Sequence, residues 1–256
     1  HRGRANANVL LGRCLRAVSA RTELRLGEAA GGSKDNAIPT ESRAQIVVSD
    51  EAAARAALGE LEDDLRREHR TTDPELFLRA EPSHWEGSPM DRTSTERAVC
   101  LLTCLPNGVQ AMSGDIPGLV QTSLNLGILT TGVEELRACF SVRSSLGSQK
   151  EALKDRLTCL TQALGGRTQY SGDYPAWEYK EDSPLRERMV QVFREQYGYE
   201  PKVEAIHAGV ECGLLAGKIP GLDCVSIGPD LLEIHTPRER MSISSVQRVW
   251  AFLLEV

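Results

Sequence analysis

The chain has 256 residues, 41% of them hydrophobic and 26% charged, enough apolar material for one large or two ordinary domains and too much for a disordered or fibrous chain. Thirty Lys and Arg against 36 Asp and Glu leave a formal charge of −6, so no overall positive field draws a phosphate backbone or an anionic membrane, and neither nucleic acid nor membrane is expected as a partner. The longest mostly apolar runs, such as residues 98–105 and 249–256, are less than half the roughly 20 residues that a membrane helix needs.

Taken in chain order, Val9, Leu10, Leu11, Cys14, Leu15 and Val18 recur at helical spacing behind a cap at Asn6 or Asn8, which predicts a helix ending near Ala20. Residues 22–26 and 44–48 are short β-type runs separated by the turn-rich stretch 31–36, closed by Pro39. Asp50 caps a charged helix through about His69, with Ala54, Leu58, Leu61 and Leu65 on one face. One further strand is expected at 76–80 and a helix over 94–105, ended by Pro106-Asn107-Gly108. Residues 109–112, 119–129 and 136–142 then read as antiparallel strands, followed by a helix over 149–164 that stops at Gly165-Gly166. Helices on one face of a mostly antiparallel sheet make an α+β domain of residues 1–172.

Pro and Gly punctuate the aperiodic segments 171–177 and 182–184, which places a domain boundary there. Residues 173–256 read as helix (184–197), strand (202–206), short helix (210–216), strand (223–227) and final helix (244–256), the pattern of a closing βαβ unit of a parallel sheet. A sheet of that kind needs both faces and its open edge covered, so partner strands are expected outside this stretch and the tail is expected to be less well ordered than the first domain. The chain starts at His1 rather than Met, already approaching a helix, and reads as the downstream part of a longer protein.

The seven cysteines form no CxxC pair, and no secretory apolar segment opens the chain, which predicts reduced, buried thiols in a cytoplasmic protein. Cys100 and Cys104 share a helical face without further Cys or His at ligand spacing, and fit core packing better than zinc. Among the histidines, His207 and His235 each follow an expected strand, where open α/β sheets place ligands. Residue types alone leave His235 either structural or a metal ligand. Arg143, at the end of a strand among hydroxyls, is either a surface ion-pairing residue or a planar fork for a substrate carboxylate. Asn36 is either a turn residue or an amide that reads a ligand. The stretch Gly31-Gly32-Ser33-Lys34 lacks the phosphate-loop pattern.

Seven segments together resemble the aminoacyl-histidine dipeptidases, also called Xaa-His or cytosolic nonspecific dipeptidases, of the M20 metallopeptidase superfamily. They are HRGRANAN (1–8), NAIP (36–39), SGDIPGLVQTSLNLG (113–127), VRSS (142–145), SGDYPAW (171–177), AIHAGVECG (205–213) and SIGPDLLEIHTPRE (226–239). The resemblance implies a zinc peptidase whose α/β catalytic domain holds two zinc ions and is interrupted by an α+β lid that closes over a dipeptide substrate and forms a homodimer. Residues 1–172 then correspond to the lid without its first strand, and 173–256 to the C-terminal segment of the catalytic domain. By motif, His235 matches a metal ligand at the substrate. Arg143 matches the lid arginine on the substrate carboxylate, Asn36 a lid asparagine near the substrate, and Gly209 a glycine whose backbone contacts it. Glu211 is either a support for the site or a helix-start residue. The resemblance places the other metal ligands and the general base upstream of residue 1, so this stretch alone is expected to be inactive and unable to hold the two zinc ions. The competing expectation is a non-catalytic dimerisation or peptide-binding module.

Overall fold

In a computed structural model, residues 3–205, 211–234 and 236–256 are described. The chain divides into two compact units: His1–Ser113, Val120–Ser144 and Ser148–Ser171 form one, and Gly114–Leu119, Ser145–Gly147 and Gly172–Val256 the other.

The first unit is an antiparallel sheet with helices packed on it. Its elements are α1 (Ala7–Ser19), β1 (Leu24–Gly31), β2 (Ser42–Val48), α2 (Glu51–Glu68), α3 (Arg92–Cys104), β3 (Gly108–Met112), β4 (Val120–Thr131), β5 (Leu136–Ser144) and α4 (Gly147–Ala163). The helices start where short polar side chains satisfy free N–H groups. The Asn6 oxygen accepts from the N–H groups of Asn8 (3.0 Å) and Val9 (3.2 Å), Asp50 from Ala53 (2.9 Å) and Asp91 from Ser94 (2.7 Å). Strand neighbours run β2-β1-β4-β3, and β5 pairs with β4.

Along β4, Val120, Thr122, Leu124 and Leu126 alternate as buried residues, which defines one core face. Leu126 and Leu129 join Leu24, Leu26 and Ala29 of β1, Leu15 and Val18 of α1, Ala54 of α2, and Ala98, Val99 and Leu102 of α3 in one cluster. Leu124 packs with Leu153 and Leu157 of α4.

The connection from β1 to β2 lies against β4 at Gly127. Gly32 has φ +73°, and a Cβ there would stand 1.9 Å from the Gly127 carbonyl oxygen; a Cβ on Gly127 would stand 2.3 Å from the Asp35 oxygen. Both glycines are needed for the backbones to approach this closely.

The second unit contains α5 (Pro184–Tyr197), α6 (Glu211–Lys218), β6 (Leu231–Leu232), β7 (Arg240–Met241) and α7 (Ile243–Glu255). Met189, Val192 and Phe252 form its small core. The Asp223 carboxylate accepts from the Ser183 hydroxyl (2.6 Å) and the Leu185 N–H (2.9 Å), fixing the start of α5. Pro175 seats on the small face of α6, where Cβ atoms on Gly213 and Gly217 would meet it at 2.8 and 2.5 Å.

Several expectations are corrected. Residues 76–80 form no strand, and Phe77 is 67% exposed; no neighbouring strand is there to take up its backbone groups. Residues 202–205 and 223–227 form no strand either, so the described part of the second unit contains no parallel βαβ pair. Its only strands among the described residues are the two-residue antiparallel pair β6 and β7. An apolar run becomes a buried parallel strand only beside other strands. The thiols are not uniformly buried: Cys100, Cys104 and Cys159 are exposed and the other four half-buried. The buried face of α3 runs through Thr95, Ala98, Val99 and Leu102, which turns Cys100 and Cys104 outward. Cys14 is shielded, and burial pushes its thiol up to about 11.

Gly32→Ala is expected to lower stability by about 1–3 kcal/mol through backbone strain and collision. Gly59→Ala, at an exposed position inside α2 with nothing near its added methyl, is expected to raise it by about 0.5–1 kcal/mol. Urea midpoints at constant m-value check both.

Candidate functional site

β1 and β4 are sheet neighbours through a single pair, Gly31 with Leu129. Elsewhere between them, peptide groups that a ladder would satisfy are met by buried and half-buried polar side chains. The Thr95 hydroxyl oxygen accepts from the Leu26 N–H at 3.1 Å, and the Thr131 oxygen accepts from the Ala29 N–H at 2.8 Å. The Leu126 carbonyl accepts from the Asn6 amide at 3.1 Å and the Asn8 amide at 3.2 Å, while the Leu126 N–H donates to Asn107 Oδ1 at 2.8 Å. Asn6 and Asn8 are 4% and 0% exposed, deep enough that a lost partner costs about 1–3 kcal/mol. Asn8 spends its two protons on the carbonyls of Gly31 and Leu126, and its own Oδ1 is buried without a partner among the described residues.

The asparagines continue outward to the loop. Asn6 Nδ2 donates to Asn125 Oδ1 at 3.0 Å, and Asn125 Nδ2 donates to the carbonyls of Asp35 (2.9 Å) and Ala37 (2.7 Å). The Ala7 N–H donates to the Pro39 carbonyl at 3.0 Å. Asn36 therefore sits between two pinned carbonyls, in an exposed stretch of the loop.

Arg143 pairs with Ser123 in the β4–β5 ladder, and Asn125 pairs with Ser141. Leu124, Val142 and Phe140 face the core, so alternation places Ser123, Asn125, Ser141 and half-buried Arg143 on the opposite face. Arg143 and Asn125 are diagonal neighbours, with a typical spacing of about 7–8 Å. The first unit thus brings Arg143 and the anchor of the Asn36 loop to one polar sheet face. That face offers a guanidinium fork beside amide hydrogen-bonding groups, a combination suited to a carboxylate.

Gly209 and His235, with His207, lie outside the described residues. Glu211 opens α6 as its first-turn acidic residue, a position that suits the positive end of the helix dipole. On either side of position 235, Glu233 pairs with Arg238 (3.3 Å) and Arg240 (3.5 Å), and the Thr236 hydroxyl donates to the Glu233 carbonyl at 2.7 Å. Among the described residues no three His, Cys, Asp or Glu side chains converge to hold a metal ion. The described residues therefore do not by themselves fit a zinc centre.

Sequence reasoning named Asn36 and Arg143 but passed over Asn125, took Asn107 only as part of a helix stop, and took Asn6 and Asn8 only as alternative helix caps. The available signal was an asparagine inside the alternating apolar run Leu124-Asn125-Leu126, where a lone polar residue needs a reason.

No protein-family model matches the chain. The cytosol non-specific dipeptidase of Escherichia coli (strain K12) is 31% identical over 258 residues, which cover 100% of this chain and 53% of that protein. The crystal structure of aminoacylhistidine dipeptidase from Vibrio alginolyticus superimposes with a TM-score of 0.91 at 30% identity, covering 100% of this chain and 52% of that one. The chain is thus homologous along its whole length to these dipeptidases and spans about half of theirs.

The segment leading into α1 is anchored by Asp73, whose carboxylate accepts from the Ala5 N–H at 2.8 Å and from Arg4 at 3.1 Å. The Ala5 N–H first, and the Arg4 charge after it, hold the Asp73 carboxyl below its ordinary value. A depressed carboxyl pKa stabilises the fold above the unfolded value near 3.9 and ceases to do so as pH falls through the native value. Asp73→Ala is therefore expected to cost about 0.5–1.5 kcal/mol at pH 7, because solvent screens the exposed Arg4 partner. The gap from wild type should close as the pH drops below about 4; a gap independent of pH in urea titrations would contradict the assignment.

Proposed function

We propose that this chain supplies the lid and the C-terminal catalytic segment of a metal-dependent dipeptidase that hydrolyses Xaa-His and other short dipeptides. The observation that carries the reading is the full-length superposition on aminoacylhistidine dipeptidase at a TM-score of 0.91. Residues 1–172 would be the lid, and residues 173–256 the returning end of the catalytic domain. Apolar side chains exposed on α7, among them Ile243, Trp250 and Leu254, are surface that a larger catalytic domain would cover.

In this reading Arg143 binds the substrate's C-terminal carboxylate with its planar fork. Asn36 orients the bound peptide from the loop anchored at the same sheet face, and Gly209 is the glycine whose backbone would contact the substrate. His235 is the proposed metal ligand, with Glu211 as a supporting residue near it. Two zinc ions would activate the attacking water in the complete enzyme; the remaining ligands and the general base would come from residues beyond this chain. Two copies would join through their lids, and the protein would work in the cytoplasm, where its E. coli relative is named as residing.

The test is dipeptide hydrolysis with added zinc, by this chain alone and with the upstream half of a relative supplied. The chain alone is expected to be inactive and the mixture active. In the active mixture, Arg143→Ala is expected to lower kcat/KM about 100-fold, corresponding to a lost charge-assisted contact of roughly 2–3 kcal/mol, mostly through KM. Robust turnover by the chain alone, or an Arg143→Ala enzyme with unchanged KM, would overturn the assignment.

A further inference from the structure

We infer that Asn125 is a positioning residue for Asn36, acting through the backbone of the loop that carries it. The inference rests on the reading above, in which Asn36 meets the substrate.

Asn36 lies in an exposed connection, where a chain segment ordinarily keeps much of its conformational freedom. Asn125 removes that freedom at two points. Its amide donates to the carbonyl of Asp35 at 2.9 Å and to that of Ala37 at 2.7 Å, the residues on either side of Asn36. Peptide groups are planar, so the bond to the Asp35 carbonyl fixes the Asp35–Asn36 plane and the bond to the Ala37 carbonyl fixes the plane one residue beyond Asn36, and the two together constrain where the Asn36 side chain leaves the backbone.

The orientation of the Asn125 amide is forced. Backbone carbonyls have no proton, so the NH2 end must face them. The Oδ1 end accepts from Asn6 at 3.0 Å, and Asn6 in turn caps α1 with its own oxygen. The loop is thereby referenced to the rigid helix start and to β4, the strand beside Arg143 in β5. Gly32 and Gly127 leave the room that brings the loop within reach of Asn125. Only a carboxamide of this length serves both ends: aspartate keeps the acceptor for Asn6 but has no hydrogen for either carbonyl, and alanine keeps neither.

This chemistry separates positioning from bulk stability. Asn125→Asp should release the loop while preserving the Asn6 contact, whereas Asn125→Ala should lose both. The experiment uses the 256-residue chain, isotope-labelled, as wild type and both variants. It records hydrogen exchange at the Ala37 N–H, which donates to the Lys34 carbonyl at 3.4 Å, the melting temperature, and the shift of the Asn36 resonances on titration with alanyl-histidine.

Asn125→Asp is expected to exchange at Ala37 at least about tenfold faster, to melt above Asn125→Ala, and to need at least about tenfold more alanyl-histidine for the same Asn36 shift. Unchanged exchange at Ala37 in Asn125→Asp would overturn the proposed hold on the loop. A loosened loop with unaltered dipeptide titration would overturn the positioning role and leave the dipeptidase reading standing. Wild-type Asn36 resonances that ignore alanyl-histidine would sink the substrate role of Asn36, and this inference with it.

Discussion

The structure of the first unit turns on unpaired peptide groups between β1 and β4. The two strands lie side by side in the sheet yet share one residue pair, and buried peptide groups without partners cost as much as lost hydrogen bonds. The sequence meets that demand with side chains. Thr95 from α3, Thr131 from β4 itself, Asn6 and Asn8 from the start of α1, and Asn107 before β3 each reach into the gap. This accounts for three of the buried polar residues, Asn6, Asn8 and Thr95, which would otherwise be unfavourable in a small apolar core.

The same demand organises the candidate site. The Asn6 amide that fills the gap at the Leu126 carbonyl also donates to Asn125, which reaches the loop on either side of Asn36. Three of the segments that carry the resemblance to dipeptidases, those around residues 1–8, 36–39 and 113–127, are thereby joined by hydrogen bonds. A fourth, around Arg143, is the next strand over. In the second unit, Pro175 of one segment sits against Gly213 of another. Short motifs scattered over the chain are thus contact partners in space, which is a physical reason for their occurring together.

Much of the fold was legible because local rules govern it. Helical periodicity, with an asparagine cap for α1 and Asp50 for α2, gives α1, α2 and α3 to within a residue or two at most ends, and Pro184 marks the start of α5. The three alternating runs became β3, β4 and β5 for the same reason. Residues 76–80, 202–205 and 223–227 failed because a short apolar run has no strand identity of its own and depends on neighbours that local sequence does not reveal. Cys100 and Cys104 were misplaced because apolar character was taken for burial, although the helical phase of Ala98, Val99 and Leu102 points the other way. The roles of Arg143 and Asn36 could be proposed only by motif resemblance, since neither residue type nor spacing separates a carboxylate fork from a surface ion pair. Asn125 was missed because its use is long-range: its partners are 88 to 119 residues away in sequence.

A double-mutant cycle between Asn6→Ala and Asn125→Ala, read by urea denaturation, tests the central claim most directly. Side chains joined by a hydrogen bond within one buried network are expected to show a coupling energy of about 1 kcal/mol. Additivity within roughly 0.3 kcal/mol would mean that the helix cap and the strand asparagine act independently, and the account of how this loop is held would be wrong.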